Sequence, residues 1–199
     1  MIKAIIFDVG GVVLKPKSFR PLTREYAKLM GRDGEEVHKI FKKYWHEWKF
    51  GKISEEEFFE GMGRDLGVKV DKNKLRELMY SFPELDRNVV SLIQRLRRKY
   101  EIFSLTNHAK EFFEFLEGKY GLGRLFDCIF KSYEAKLAKP DPRFFEWVME
   151  EIGRKPEECV FIDDREENVE AARVLGMNAI LYEDVRMLEK ELRKLGIIF

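Results

Sequence analysis

Short apolar runs followed by segments of helical spacing recur through much of the chain. The clear runs are "KAIIFD", "YEIFSLTN", "ECVFIDD" and "MNAILY", with a weaker fifth in "DCIFKS". They are rich in Ile, Val, Leu and Phe and bounded by polar or turn-forming residues. Such runs suit strands buried on both faces, where no alternation with water is needed. Between them, "PELDRNVVSLIQRLRRKY" places Val89, Leu92, Ile93 and Leu96 on one stripe. "PDPRFFEWVMEEIG" has Pro142 near a helix start and Gly153 as its stop, and "REENVEAARVLGM" ends at Gly176. Strand-then-helix alternation predicts an α/β fold, a doubly wound parallel sheet (a Rossmann-like core) with helices on both faces.

Residues 16–83 break that alternation. They read as consecutive helices, "LTREYAKLMG", "EEVHKIFKKYWHEWKFG", "SEEEFFEGMGRDLG" and "DKNKLRELMYSF". Ser54 followed by Glu57 is a capping-box pattern that fixes the start of the third. The expected organisation is a core of residues 1–15 and 84–199 with a small α-helical domain, 16–83, inserted after the first strand. In "FKKYWHEWKFGKIS" the aromatics recur at helical spacing, which assigns them to the packing of that domain and its contact with the core. The tail of this stretch, Lys49 to Lys52, is placed to reach over the mouth of the sheet.

The strand ends carry the chemistry. The first run ends at Asp8, followed by Val9, Gly10 and Gly11; "YEIFSLTN" ends in Thr106 and Asn107; "ECVFIDD" ends in Asp163 and Asp164. "AKLAKPDP" supplies Lys139 just before a helix. In an open parallel sheet the loops after the strands share one edge, where these groups can converge. Taken alone, Asp8 reads as a turn-capping aspartate, Thr106 as a helix N-cap and the acid pair as a cap for the next helix. Together they say more. Crowded carboxylates resist full ionisation, and a hard divalent cation removes the conflict. Carboxylates with a backbone carbonyl and water suit Mg²⁺. With Lys139 and the Thr106 hydroxyl, the set makes a phosphate site in which an aspartate can act as covalent nucleophile.

"FDVGGVV", "SLTN", "KPDP" and "FIDDREENVEAARVLGMNAI" resemble, in order and spacing, the four motifs of the haloacid dehalogenase superfamily. The helical insert sits where one subgroup of small phosphatases carries its cap. The resemblance implies that Asp8 is the nucleophile and forms an aspartyl-phosphate. It implies a Mg²⁺ site made by Asp8, the Gly10 carbonyl and Asp164, with Asp163 acting through a bound water. Thr106 and the Asn107 backbone N–H would hold the phosphoryl oxygens. Lys139, selected over Lys136 by the Pro-Asp-Pro that follows it, would neutralise Asp8 and the phosphate. Asn168 matches the "DDxxxN" pattern as an orienting residue.

One position departs from the pattern. Most phosphatases of the superfamily carry a second aspartate, the general acid/base, two residues after the nucleophile; this chain has Gly10. Either another group protonates the leaving oxygen, or catalysis is slow, or the reaction differs. Phosphomutase chemistry, which relies on that acid, is disfavoured, whereas some sugar-phosphate phosphatases of the family share the glycine. His108 is placed to substitute; His46 reads as structural.

The implied activity is Mg²⁺-dependent hydrolysis of a small phosphomonoester, sugar phosphates being the first class to test. Two rivals are metal-independent 2-haloacid dehalogenation and a non-catalytic phosphate- or partner-binding role. Composition limits the rest. Lys and Arg number 37 against 36 Asp and Glu, a formal net charge of +1, which gives no electrostatic reason to expect nucleic acid or a membrane surface. Charged residues make up 37%, both signs interleaved, as on a heat-adapted surface. The apolar start is broken at Asp8, too early for a signal peptide, and no run is long enough to cross a bilayer. Cys128 and Cys159, both among apolar neighbours in sequence, read as reduced core residues of a cytoplasmic protein, monomer or homodimer.

Overall fold

The computed structural model describes residues 1–199. Its strands are β1 (Ala4–Phe7), β2 (Leu14–Lys15), β3 (Glu84–Leu85), β4 (Glu101–Thr106), β5 (Cys128–Lys131), β6 (Cys159–Asp163) and β7 (Asn178–Leu181). Its helices are α1 (Arg20–Met30), α2 (Gly34–Lys49), α3 (Glu55–Leu66), α4 (Lys72–Ser81), α5 (Arg87–Leu96), α6 (Lys110–Tyr120), the single turn α7 (Ser132–Ala135), α8 (Pro142–Ile152), α9 (Glu166–Val174) and α10 (Val185–Lys194). Five strands form one sheet in the order β5-β4-β1-β6-β7, every neighbouring pair parallel. The weak run "DCIFKS" is among them, as β5.

From β1 the chain builds outward on one side through β4 and β5, then crosses to add β6 and β7 on the other. That reversal brings the carboxyl ends of β4, β1 and β6 side by side, the place where open parallel sheets take ligands. Burial follows strand periodicity. Ile5 and Phe7 of β1 join a cluster of 37 buried residues on one face, while Ala4 and Ile6 join a cluster of 13 on the other. The predicted stripe of α5 is wholly buried on the first face. On the second face lie Phe144, Phe145 and Val148 of α8 with Ala172 of α9.

The first cluster does not stop at the sheet. It runs on through Tyr26, Phe41, Trp48, Phe58 and Met62, so the helices between β2 and β3 share their apolar interior with the core. These helices have clear ends. Asp33 accepts hydrogen bonds from the amides of Glu35 and Glu36, and Ser54 and Glu57 form the expected capping box. Gly31 and Gly67 close α1 and α3 in the left-handed conformation. The chain leaves and re-enters the core through an antiparallel ribbon of β2 and β3, tied by Lys15 to Asp86 at 2.7 Å. Further contacts bind α2 to α6: Trp48 donates from Nε1 to Glu111 at 2.8 Å, and the Trp45 and Phe112 rings lie 5.9 Å apart.

Cys159 is buried, but Cys128 is exposed, contrary to its expected place in the core. It is the first residue of the edge strand β5, where no further strand covers it, and apolar neighbours in sequence do not bury such a position. The structure also has α6, α10, α7 and the ribbon, which the apolar runs do not announce. No helix is long and apolar enough to cross a membrane.

Trp48 is fully buried in the shared cluster. Trp48→Ala should cost about 3–5 kcal/mol, the usual range for deleting a large buried aromatic. Because one apolar interior links the helical block to the sheet, urea unfolding followed by circular dichroism and by tryptophan fluorescence should still give one coincident transition.

Candidate active site

Asp8 follows β1 directly, Thr106 ends β4 and Asp163 ends β6, so the parallel register alone brings these side chains to one edge. Ligand oxygens of Asp8, Asp163 and Asp164 all lie within 4.8 Å of one another. Lys139 comes from the loop before α8, with Nζ 2.9 Å from Asp8 Oδ1 and 2.6 Å from Asp163 Oδ2. Its ammonium is almost wholly out of water, at 3% exposure, so these two carboxylates are its main compensation.

A reciprocal clamp places that lysine. The Asn107 side chain donates from Nδ2 to the Lys139 carbonyl at 2.9 Å and accepts the Lys139 amide on Oδ1 at 3.0 Å. Motif order points to the backbone N–H of Asn107; its side chain has this second task, toward a loop 32 residues on. Asp163 is equally occupied. It takes the Lys139 ammonium, both contacts from Asn168 Nδ2 at 3.0 Å and the Arg165 amide at 2.9 Å. Asn168 thus holds both carboxylate oxygens of Asp163.

The two glycines have different duties. Gly11 has φ +88°, and a Cβ there would lie 2.4 Å from Asp164 Oδ2, so both the turn and the approach of Asp164 require its bare backbone. At Gly10 the backbone is ordinary, and a Cβ would meet only His108, at 3.3 Å from Cε1 and 3.6 Å from Nε2. His108 is buried, with Nδ1 2.6 Å from Thr106 Oγ1. Thr106 is also fully buried and is not a helix cap, since α6 begins only at Lys110.

Above the carboxylates opens a cavity of about 550 Å³. Asp8, Gly10, Asn107, His108, Lys139 and Asp164 are at its base, and Phe41, Lys42, Trp45, His46 and Lys49 reach it from α2. Of the stretch 49–52, only Lys49 lines it; Lys52 pairs instead with Glu47 at 3.3 Å. His46 packs against Phe50 with ring centroids 5.2 Å apart. Lys136, the lysine passed over, reaches the Phe50 carbonyl at 3.3 Å, away from the carboxylates.

Three carboxylates face one close ammonium, and the imbalance appears in their proton affinity. Burial, with the charges of Asp163 and Asp164, pushes the Asp8 carboxyl up to about 7 even though Lys139 pulls it down. Burial and Asp163 push Asp164 up to about 6. The Lys139 ammonium, disfavoured by burial, is held above the ordinary lysine value by Asp163 and Asp8. Burial and the neighbouring Lys139 charge push the His108 imidazole down to about 3, so the ring is neutral. Desolvation, then Arg165 and Lys139, lowers the Lys49 pKa, and Lys49 makes no ion pair. An all-oxygen donor set with surplus negative charge fits a hard divalent cation.

A family model for haloacid dehalogenase-like hydrolases matches residues 2–176. Among curated relatives, drimenol cyclase drtB of Aspergillus calidoustus is 28% identical over 200 residues; the match takes in 96% of this chain but spans only 36% of that protein. Flavin mononucleotide hydrolase 1 of Arabidopsis thaliana is 30% identical over 194 residues, 97% of this chain and 77% of the relative. The D-ribitol-5-phosphate phosphatase of Bacteroides thetaiotaomicron is 26% identical over 198 residues, 92% of this chain and 93% of the relative. Among solved structures, a family enzyme from Bacteroides thetaiotaomicron, an aspartate-to-alanine mutant crystallised with magnesium and inorganic phosphate, superposes with a TM-score of 0.81 at 27% identity. That match covers 94% of this chain and 99% of the other. The L-2-haloacid dehalogenase of Xanthobacter autotrophicus shares the fold, with a TM-score of 0.68 at 20% identity over 100% and 85% of the two chains.

The raised pKa of Asp8 sets a pH test. Between about pH 4 and 7 the folded protein keeps a proton on Asp8 that the unfolded chain has lost, so this residue's contribution to stability falls as pH rises through that window. Asp8→Asn removes the penalty. The substitution also takes one charged partner from Lys139, a loss that does not vary with pH in this range, so in chelator the stability of the variant relative to wild type should rise between pH 5 and pH 8 by about 2 kcal/mol, or on the order of 5 °C in scanning fluorimetry.

Proposed function

The chain belongs to the haloacid dehalogenase-like hydrolase family, and from that premise we propose that it is a Mg²⁺-dependent phosphatase of small phosphomonoesters, working through phosphorylated Asp8. The observation that carries the reading is the buried group of Asp8, Asp163 and Asp164 with Lys139 between two of them, at the base of a cavity. A phosphatase and a flavin mononucleotide hydrolase stand among the relatives, and magnesium with phosphate was found in the superposed Bacteroides enzyme.

In this reading Asp8, the Gly10 carbonyl and Asp164 would hold Mg²⁺. Asp163, its oxygens already engaged by Lys139, Asn168 and the Arg165 amide, contributes through a water. When bound, the ion offsets the repulsion between the carboxylates and the incoming phosphate. The protein's own groups do the rest. One Asp8 oxygen attacks phosphorus while Oδ1 stays near Lys139 and accepts the Val9 amide at 2.8 Å, which fixes the carboxylate plane. The Asn107 N–H and the Thr106 hydroxyl hold phosphoryl oxygens, and Lys139 balances charge on both partners. Water then hydrolyses the acyl phosphate and frees Asp8.

Residues 16–83 act as a cap over the core of residues 1–15 and 84–199. Phe41 and Trp45 of α2 give the cavity flat apolar walls, and Lys42 and Lys49 give its rim positive charge. The substrate is thus a phosphomonoester small enough for about 550 Å³; sugar phosphates and flavin mononucleotide are the classes to try first. The dehalogenase alternative has weaker support, because Asp164 adds negative charge where a haloacid must place its carboxylate.

A panel of phosphomonoesters assayed for inorganic phosphate tests the reading. Wild type should turn over at least one member with Mg²⁺, lose activity in chelator and recover it on adding metal back. Asp8→Asn should fall by about four orders of magnitude or more, as expected when a covalent nucleophile is lost. Chloride release from a 2-haloacid in chelator would instead select the dehalogenase. Lys49→Met, which removes an unpaired cation from the cavity wall, should raise KM about five- to tenfold with little change in kcat, consistent with lost ground-state attraction for a dianion.

A further inference from the structure

Gly10 leaves a space beside Asp8, and one side chain fills it. A Cβ on Gly10 would lie 3.3 Å from His108 Cε1 and 3.6 Å from Nε2, with no other atom outside its chain neighbours within 4 Å. An imidazole carried on the loop after β4 therefore stands where a side chain at position 10 would project. The ring is held from several sides: its centroid is 6.3 Å from Trp45, 5.9 Å from Phe112 and 5.9 Å from Phe113.

The two nitrogens are not equivalent. Nδ1 is 2.6 Å from Thr106 Oγ1, and this is the ring's one hydrogen bond within the protein. A hydroxyl has one proton to donate. If Thr106 directs it to a phosphoryl oxygen, its oxygen must accept from Nδ1–H, and the neutral ring then carries its lone pair on Nε2. His108 lines the same cavity as Asp8, Gly10 and Lys139, and its Nε2 makes no hydrogen bond to the protein.

We propose that His108 is the base of the hydrolytic half-reaction, its Nε2 receiving the proton of the water that attacks phosphorylated Asp8. This rests on the reading of Asp8 as the nucleophile. The bond formed joins the water oxygen to phosphorus. The bond broken joins phosphorus to the Asp8 oxygen, whose electron pair returns to the carboxylate. The negative phosphoryl group in the cavity raises the proton affinity of the ring above its value in the empty site, so the proton passes to Nε2 and leaves to solvent with the product. In the preceding half-reaction the ring has no proton on Nε2 to give, so the leaving oxygen departs with its electron pair and is protonated by water. Substrates with acidic leaving alcohols should react fastest.

The test is rapid-quench kinetics on the Mg²⁺-loaded protein with para-nitrophenyl phosphate. His108→Phe keeps a ring in the aromatic cage and His108→Ala leaves a hole; melting curves establish that each is folded. In both, nitrophenolate should appear as a burst approaching one equivalent per site. Steady turnover should then be slower by about a hundredfold, the low end for loss of a general base, and the phosphorylated protein should accumulate in intact-mass spectra. Added imidazole should speed turnover of His108→Ala but not of His108→Phe, whose ring occupies the space. As a readout independent of turnover, nitrogen NMR of the protein saturated with Mg²⁺ and inorganic phosphate should find the His108 proton on Nδ1.

A proton on Nε2, wild-type turnover in His108→Phe, or a slowed first half-reaction with no burst would each overturn the proposal while leaving Asp8 as nucleophile. Nitrophenolate release by Asp8→Asn would overturn both.

Discussion

The ammonium of Lys139 between Asp8 and Asp163 is the interaction on which the rest of the site depends. Placing three ionisable groups in a nearly dry pocket is unfavourable unless each is compensated, and removing one partner of such a set typically costs several kcal/mol. Here the compensation is geometric. Parallel register brings Asp8 and Asp163 to one edge, the Asn107 clamp delivers the lysine, and Asn168 with the Arg165 amide fixes the second carboxylate. Asp164 lacks such an arrangement and makes no ion pair, and its carboxyl and that of Asp8 both stay above the usual range. The site is thereby built with negative charge left over, as a cation-binding centre must be.

Much of the fold was legible because burial on both faces leaves a plain mark in sequence. The central strands β1, β4 and β6 are nearly continuous apolar runs, and each ends at or just before the residue that faces the cavity or anchors one that does. The edge of the sheet was less readable. At β5 the short run still places Cys128 among apolar neighbours in sequence, yet Cys128 is exposed, because exposure there is decided by the absence of a further strand. The helix α6 begins after Ala109, whose side chain offers no cap, so its start carries no sequence signal although Phe112, Phe113 and Leu116 share a face.

Within the site, the acidic groups and Lys139 could be named from strand ends and motif order. The contacts that position them could not. The Asn107–Lys139 clamp joins residues 32 apart in sequence, and the space beside Gly10 is filled by a ring nearly a hundred residues away. "VGG" looks in sequence like one flexible turn. In the structure Gly11 is constrained by backbone conformation and by Asp164, whereas Gly10 is constrained by His108 alone. Where the sequence shows only a missing side chain at position 10, the structure shows the His108 ring as the neighbour it would meet.

The same ring links the helical block to the base of the cavity. Trp45 belongs to α2, lines the cavity and packs edge-on against the His108 ring, while neighbouring Trp48 is bonded to Glu111 of α6. Separating α2 from the core would expose apolar surface at about 25 cal/mol per Å² and would loosen the cage around the imidazole at the same time. Wide opening of the block is therefore opposed by the cluster it shares with the sheet. Smaller displacements of α2 would reach His108 first, since one face of that ring is held from the cap side by Trp45. In such an arrangement α2 both walls the cavity and packs against a ring that lines it, so changes in the packing of α2 should register at the base of the cavity even when no residue there is altered.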